Sequence, residues 1–489
     1  MEANNNVDLI SQLSDDILIS IMARLRTEEA VRTSILSNRW RNLYKFIPDI
    51  EFRCEHLVGR SVFSPHDSNS IINGVDRFLR LRSGFKIRSL KLSCCLMKLL
   101  HTDRYEQFIY SLGRLGIEKL VLRCSCCQNP SDLSFSCHLL SQMPSLRYFD
   151  LFDCSLHQMP SLKYFEVGLC SLHHPMPASL KLTQSNNSLQ VLRLNRVIVV
   201  DGALECILSN CLSLDSLSIE SCEFPSKLFI RGPNLQLKRL RIDFVTGVEE
   251  IELYASNLVR FEFRSNEVVN FRFDHAPKLE NISLDFQNQN AMSYVRTRLV
   301  KDLPHLKSLF VASKGDIYKV SMKNQTLRNL RQLKLHIYVT KVLSLLTLAP
   351  FLKSCPVLQE FHLDTEFVEY NEVGVKGTDV AVIHTGLKKV EITGHTGTKS
   401  EIEFALYILK SAICLEQMQI SRCPKWYGGY GRWMGHDQPG WSAQTLYTIR
   451  KYLIGQAISK TARVTIQHSP FYEFNWMRRD THFGSSIFD

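Results

Sequence analysis

The sequence predicts an α/β chain of two unlike parts: a small three-helix module over residues 8–50, then a solenoid whose curved parallel sheet carries helices on its convex side. Three observations carry that expectation. Apolar residues recur at helical spacing within the first 50 positions. From residue 87 onward a unit reading apolar-x-x-apolar-x-apolar recurs fourteen times. The 489 residues are 45% hydrophobic and 22% charged, which excludes collagen-like and wholly disordered chains. The length predicts roughly two to four domains.

In the helical module, Ser14 is placed to cap a first helix, with Asp15 and Asp16 against its positive end and Ile17, Leu18, Ile21, Met22 and Leu25 as its apolar face. Thr27 is expected to cap a second, with Glu28 and Glu29 in its first turn and Ala30, Val31 and Ile35 following. A third runs from Ser37 through Trp40, Leu43, Tyr44 and Ile47 to the stop at Pro48. So small a module cannot bury all of this apolar surface. Either it caps the neighbouring domain or it keeps a face for another protein.

The run Asp8-Leu-Ile-Ser-Gln-Leu-Ser-Asp-Asp-Ile-Leu-Ile-Ser-Ile-Met-Ala-Arg-Leu25, then Glu29-Ala-Val-Arg-Thr-Ser34 and Leu36-Ser-Asn-Arg-Trp-Arg-Asn-Leu43, resembles the F-box along its whole length. That family usually has proline where this chain has Ser14, so an adaptor contact changes there. The resemblance implies that Leu9, Leu13, Ser14, Ile17, Leu18 and Leu36 form a surface docking a Skp-type adaptor, with Trp40 bracing the helices. The adaptor in turn would tether the chain to a cullin-based ubiquitin ligase.

Residues 51–86 read as a linker with helical character. The repeats then occupy 87–375, from Ile87/Leu90/Leu92 and Ile117/Leu120/Leu122 through Leu358/Phe361/Leu363. Their spacing fits leucine-rich repeats, in which the alternating apolar positions form a short strand facing the core. Cys95, Cys154, Cys170, Cys222 and Cys423 each sit three residues after the last apolar position, where such repeats pack an Asn or Cys inside the turn. Helices are expected at 202–210, 341–354 and 401–412. Between 240 and 284 the apolar centres Leu240, Ile251, Phe261, Phe271 and Ile282 fall about 10 residues apart, so these turns are expected to be strand and loop only. Residues 143–156 and 159–172 are near copies offset by 16, a local duplication expected to distort the geometry.

The last third carries a second resemblance. Gly386-Leu-Lys-Lys-Val-Glu-Ile-Thr-Gly-His-Thr-Gly397, Glu401-Ile-Glu-Phe-Ala-Leu-Tyr-Ile-Leu-Lys-Ser-Ala412 and Leu415-Glu-Gln-Met-Gln-Ile420 resemble the FBD domain that follows leucine-rich repeats in plant F-box proteins. That domain is expected over 376–470, with 463–467 as its closing strand and 471–489 as a tail. A Trp/Gly loop at 426–441 holds Trp426, Trp433 and Trp441.

The sequence carries no His-Glu-x-x-His helix, nucleophile elbow or kinase signature. Residues 394–400 read Gly-His-Thr-Gly-Thr-Lys-Ser but lack phosphate-loop spacing, and a strand-to-helix turn explains them better. Cys124, Cys127, Cys137 and His138 have zinc-like spacing, yet buried repeat cysteines are the better reading. The expectation is therefore a non-catalytic chain with neither metal nor cofactor. Residues 1–9 show no basic stretch followed by an apolar one, so thiols are expected in a reducing compartment, the nucleus or cytoplasm. The most apolar runs, 197–200 and 342–349, are far shorter than the roughly 18 residues of a membrane span.

Charge is uneven under a formal net +11. Residues 291–341 are rich in cations, among them Arg296, Arg298, Lys301, Lys307, Arg328 and Arg331. They read either as a solvated solenoid edge or as a docking face for a target or polyanion. Two functions are weighed. The favoured one, which the F-box and FBD resemblances imply, is the substrate-recognition subunit of a cullin ubiquitin ligase, with the repeat and FBD surfaces binding a protein target. The alternative is a nucleic-acid-binding solenoid using the basic segment.

Overall fold

In the computed structural model the described residues are 10, 12–53, 68–82, 85–93, 108, 111–112, 115–123, 145–152, 162–168, 171–172, 188–232, 234–266, 269–286, 294–314, 326–339, 345–367, 383–429, 432–435 and 439–468. The chain divides into two compact units, Met1–Arg239 with Val245–Ser256, and Leu240–Phe244 with Asn257–Asp489. This division falls within the expected repeat region.

All fourteen repeat motifs are strands. A lone rung exposes its apolar side, so each is stable only with the next rung laid beside it. In the first unit the middle apolar residues align as Leu90↔Leu120, Leu120↔Phe149, Phe149↔Phe165, Phe165↔Leu192 and Leu192↔Leu217, every pair parallel. A one-residue slip would turn each rung inside out, and none occurs. The duplicated segments obey the same rule: Tyr148–Phe152 pairs with Tyr164–Gly168 at the 16-residue offset, without the expected distortion of the strands. The connection between them lies outside the described residues.

The ladder starts one rung before residue 87. Asp49–Arg53 pairs with Ser89–Ser93, its Ile50 and Phe52 opposite Leu90 and Leu92. Ahead of it stand helices α1 (Asp15–Met22), α2 (Thr27–Arg32) and α3 (Trp40–Leu43). Helix α2 starts one residue earlier than expected: Thr27 lies inside it, and the Glu29 carboxylate accepts the Arg26 N–H at 3.1 Å. The Thr27 hydroxyl instead accepts the Glu51 N–H at 3.0 Å, tying the first rung to the helical module. Helix α4 (Ser68–Leu81) leads into Arg82, which is buried and donates to the carbonyls of Lys45 (2.6 Å) and Ile47 (2.5 Å). Burial drops its pKa to about 10.

The contracted spacing between 240 and 284 proves to be two strands per turn. Leu240, Phe261 and Ile282 keep a full repeat on the ladder, while Ile251 lies in Glu250–Tyr254, which pairs with Lys227–Arg231 in a separate small sheet. Phe271 lies in the short strand Asn270–Arg272 and packs edge-on against Phe261 and Phe263. Strands here take the place of helices, as expected, but the repeat itself does not shorten.

In the second unit the register continues as Phe261↔Ile282, Ile282↔Leu309, Leu309↔Leu333, Leu333↔Phe361, Phe361↔Val390, Val390↔Met418 and Met418↔Val464. The ladder thus runs on through 376–470, and Arg463–Gln467 is its last rung. Helix α5 (Ala203–Asn210) of the first unit buries Leu204, Ile207 and Leu208 as expected. The expected helix at 341–354 is a 3-10 turn, Leu345–Leu348, followed by Ala349–Lys353, with Pro350 at the junction. Helix α6 (Lys399–Ser411) and helix α7 (Ala443–Leu453) complete the unit.

Cysteine placement is explained where it is described. Cys222 is buried, its sulfur accepting the Val197 N–H (3.4 Å) and donating to the Glu220 carbonyl (3.3 Å), and burial pushes its pKa up to about 11. Cys423 is buried as well, whereas Cys95, Cys154 and Cys170 fall outside the described residues.

Replacing Arg82 by Met leaves the two carbonyls at the end of the helical module without their donor. Each orphaned buried acceptor costs about 1–3 kcal/mol. Amides of residues 40–47 should then exchange faster with solvent while those of Leu90 and Leu120 keep their protection, measured by hydrogen exchange.

Candidate functional site

The helical module has a core of its own. Leu18, Met22, Ala30, Trp40, Leu43 and Ile47 pack together, with Leu13, Ile19 and Tyr44 at its margin. Arg39 pins the start of α1 from across the module, donating to Asp15 (2.8 Å) and to the Leu13 carbonyl (2.5 Å). Ser14 stands at the N-cap in extended conformation, yet its side chain makes no capping bond.

This core corrects one member of the predicted docking set. Leu18 is fully buried, so it holds α1 onto α3 and presents nothing to a partner. Trp40 is buried too, in keeping with a bracing role, and Leu13 is half-buried. Leu9 lies outside the described residues. Ile17 (48% exposed) and Leu36 (64%) do face solvent, and around them sequence reading missed Ile10, Ile21, Leu25 and Ile35, the last 86% exposed. The signal was present: positions 17, 21 and 25 are one helical stripe and 18 and 22 another. Only the second stripe meets the core; Ile17 and Ile21 of the first are exposed, as are Leu25, Ile35 and Leu36 beyond the helix.

Along the predicted basic face the Arg331 N–H donates to the Lys307 carbonyl at 2.8 Å. Arg298 donates to the Asn270 side chain at 2.6 Å and Lys307 to Glu280 at 2.6 Å. Lys301, Arg328 and Arg331 are exposed, and the side chain of Arg296 lies outside what is described. Asn329 reaches the Pro304 carbonyl, so Arg328 and Arg331 flank a turn of the ladder. The cysteines of the zinc-like set are also outside the described residues, among which no cluster of metal-ligating side chains occurs.

The glycine-rich turn at 394–400 is filled by its own carboxylate. Glu401, buried, accepts from the backbone N–H groups of Thr396, Gly397 and Thr398 and from the Thr396 and Thr398 hydroxyls, at 2.8–3.1 Å. Gly394 has φ +71°, and a Cβ there would sit 2.1 Å from the Thr365 carbonyl oxygen. The glycine therefore serves the turn, and the N–H groups that would cradle a phosphate are taken. Beside them His395 is completely buried, neither ring nitrogen finds a hydrogen bond, and Trp441 donates to its carbonyl at 2.7 Å.

The Trp/Gly loop is a hairpin, Lys425–Gly429 with Arg432–Gly435, laid over the polar side of the second unit's ladder. Tyr427 donates to Glu262 at 2.8 Å and its ring lies 4.9 Å from that of Phe310. Lys425 donates its backbone N–H to Asp364 at 3.1 Å and its ammonium to Glu391. Burial alone would raise the Glu391 pKa, but the hydrogen bond from His362 and the Lys425 charge hold it below the usual carboxylate range.

Comparison with known families bears on both surfaces. A family model described as the At1g61320/AtMIF1 LRR domain matches residues 78–459, and the F-box domain model matches residues 10–43. From Arabidopsis thaliana, the FBD-associated F-box protein At5g60610 is 25% identical over 431 residues, covering 85% of this chain and 100% of its own. The F-box protein At1g80960 is 24% identical over 256 residues, 52% of this chain and 48% of its own length. The FBD-associated F-box protein At1g66310 is 24% identical over 310 residues, 60% and 56% respectively. The chain thus spans about half the length of the last two.

Two variants separate core from surface in the helical module. Leu18→Ala should destabilise it by about 2–5 kcal/mol, as large-to-small core changes do, whereas Ile17→Ala should stay within about 0.5 kcal/mol. Native-state hydrogen exchange of the amides of residues 40–47 measures both. For His395, burial holds the folded pKa below the ordinary value. The unfolded chain then binds more protons below about pH 6.5, so stability is intact above that value and falls as pH drops through it. His395→Phe should be neutral or stabilising at pH 7 and flatten that fall, read from melting temperatures between pH 5 and 7.5.

Proposed function

Because the chain belongs to the At1g61320/AtMIF1 leucine-rich-repeat family and carries an F-box domain, we propose that it is the substrate-recognition subunit of a cullin-based ubiquitin ligase. In this reading the helical module docks a Skp-type adaptor, the adaptor binds a cullin, and the repeat surface holds a protein target. The observation that carries it is the exposure of Ile17, Ile21, Leu25, Ile35 and Leu36 on a module that already has a closed core. Exposed apolar side chains of this kind are the usual anchors of a helix or groove on a partner.

The chain itself then performs no bond chemistry. Its contribution is to turn an encounter between target and ubiquitin-loaded enzyme into a held one, which is where proximity acts. Nuclear or cytoplasmic residence belongs to the same proposal. The nucleic-acid alternative draws on the basic segment, and there Lys307 and Arg298 already serve as partners of Glu280 and Asn270.

Ile17→Asp combined with Leu36→Asp tests the docking assignment without touching the core. Burying unpaired carboxylates in an apolar contact costs about 3 kcal/mol or more, hence at least ~100-fold in affinity. Isothermal titration of the full-length variant against a plant Skp-type adaptor should show that loss with an unchanged melting temperature, and wild-type affinity in the variant would reject the assignment.

A further inference from the structure

On a leucine-rich ladder the residues between the inward apolar positions normally face water. In the second unit many do not. Asp243, Glu262, Ser283, Asp364, Thr393, Gln419 and Ser421 are buried, as are Phe310 and Ala312. The hairpin Lys425–Gly435 lies across this side and reaches from the rung of Glu391 to that of Arg241.

Its contacts are those of a bound peptide. Two guanidinium groups hold main-chain carbonyls, Arg264 on Tyr427 at 2.7 Å and Arg241 on Gly428 at 3.4 Å. The guanidiniums are themselves oriented by carboxylates, Arg241 by Asp243 and Arg264 by Asp285 at 2.9 Å. One side-chain seat takes a lysine, its ammonium on Glu391, which His362 also contacts at 2.8 Å. The backbone at that residue is fixed by Asp364, whose carboxylate also meets His336 and Thr393. The other seat takes a tyrosine, ring on Phe310 and hydroxyl on Glu262.

The occupant is poorly self-supporting. A two-stranded hairpin is marginal by itself in water, and this one carries Gly428, Gly429 and Gly435 and a register irregularity between Tyr427 and Gly429. What holds it is the wall it lies on, together with the short tether to the rung Gln417–Ser421, which gives it a high effective concentration. Contacts made through charges and hydrogen bonds are ones that a competing segment of like chemistry reproduces.

We propose that the polar face of the second unit's ladder is a peptide-binding surface which the chain fills in cis with its own hairpin, and that its partner is an extended protein segment carrying lysine and, two residues on, tyrosine, which takes the hairpin's place. The surface so assigned is independent of the adaptor reading and stands or falls without it.

The test uses the full chain, wild type and the double variant Lys425→Ala/Tyr427→Ala, with a fluorescein-labelled synthetic peptide of residues 424–435 as probe. With the tethered occupant weakened, the competent fraction rises, so the variant should bind the peptide at least ~10-fold more tightly than wild type. A peptide with both its lysine at 425 and its tyrosine at 427 replaced by alanine should bind neither. Equal affinity in the two proteins overturns the proposal. So does absence of binding in a variant that keeps the wild-type circular dichroism and melt. Should the variant misfold, hydrogen exchange on wild type decides: hairpin amides should exchange at least ~100-fold faster than those of Val390 and Met418, by local opening. Exchange of hairpin and ladder at one common rate refutes an exchangeable occupant.

Discussion

Register is the constraint on which the rest of the molecule depends. Each rung contributes two or three apolar side chains to one side and polar ones to the other, and only strict alignment of neighbours keeps these sides apart. The aligned middle positions, from Leu90 to Leu217 in one unit and Phe261 to Val464 in the other, show no slip. The turn after the strand is held equally tightly. Arg196, Ser221, Phe244 and Gly394 all follow a strand directly, and all have positive φ. Non-glycine residues bear a strain of about 1–3 kcal/mol in that region, tolerated where the rungs on either side fix the path of the chain. At Gly394 the neighbouring carbonyl is so near that no side chain fits.

A ladder of parallel rungs has an open first edge, and an unprotected edge invites foreign strands. Here that edge meets the helical module. The Glu51 N–H is taken by Thr27, and Arg82 donates to the carbonyls of Lys45 and Ile47. The module is therefore both a cap and a carrier of exposed surface, since α1 has two stripes that do different things. Fastening the cap through hydrogen bonds to backbone leaves Ile17 and Ile21 of α1, and Leu25 after it, uncommitted.

How much of this was legible in the sequence follows from the range of the interactions involved. The rungs were readable because a period-two pattern is local, and Cys222 was readable because its partners, Val197 and Glu220, sit at a fixed offset in the repeat. The first rung was passed over although Ile47, Ile50 and Phe52 carry the same spacing, because the preceding helical motif claimed Ile47. The last rung was less visible, since Thr461 replaces the leading apolar residue. The split of α1 into inner and outer stripes needed knowledge of which neighbour each stripe meets. Least legible were the burial of Glu262 and Asp364 and the partial burial of Glu391, as alternation marks these positions for solvent. Their cover arrives from more than a hundred residues away in the case of Glu262, and local pattern does not encode it.

Burying those charges has a physical consequence that separates the two candidate surfaces. The stripe on α1 is apolar, so an occupant gains by excluding water and needs little geometric precision. The covered ladder face is ionic, and every carboxylate on it must be matched by a donor or bear the cost of desolvation. Glu391 is matched, and its pKa falls; Asp285 is offset only in part by Arg264, and burial still raises it. A segment lacking the lysine would cost Glu391 its ion pair while His362 stays on it, and one lacking the tyrosine would cost Glu262 a hydrogen bond while Arg241 stays 3.9 Å away. In the proposed reading, selectivity falls to the ladder face and general attachment to the helical module, a division of labour that follows from the two chemistries.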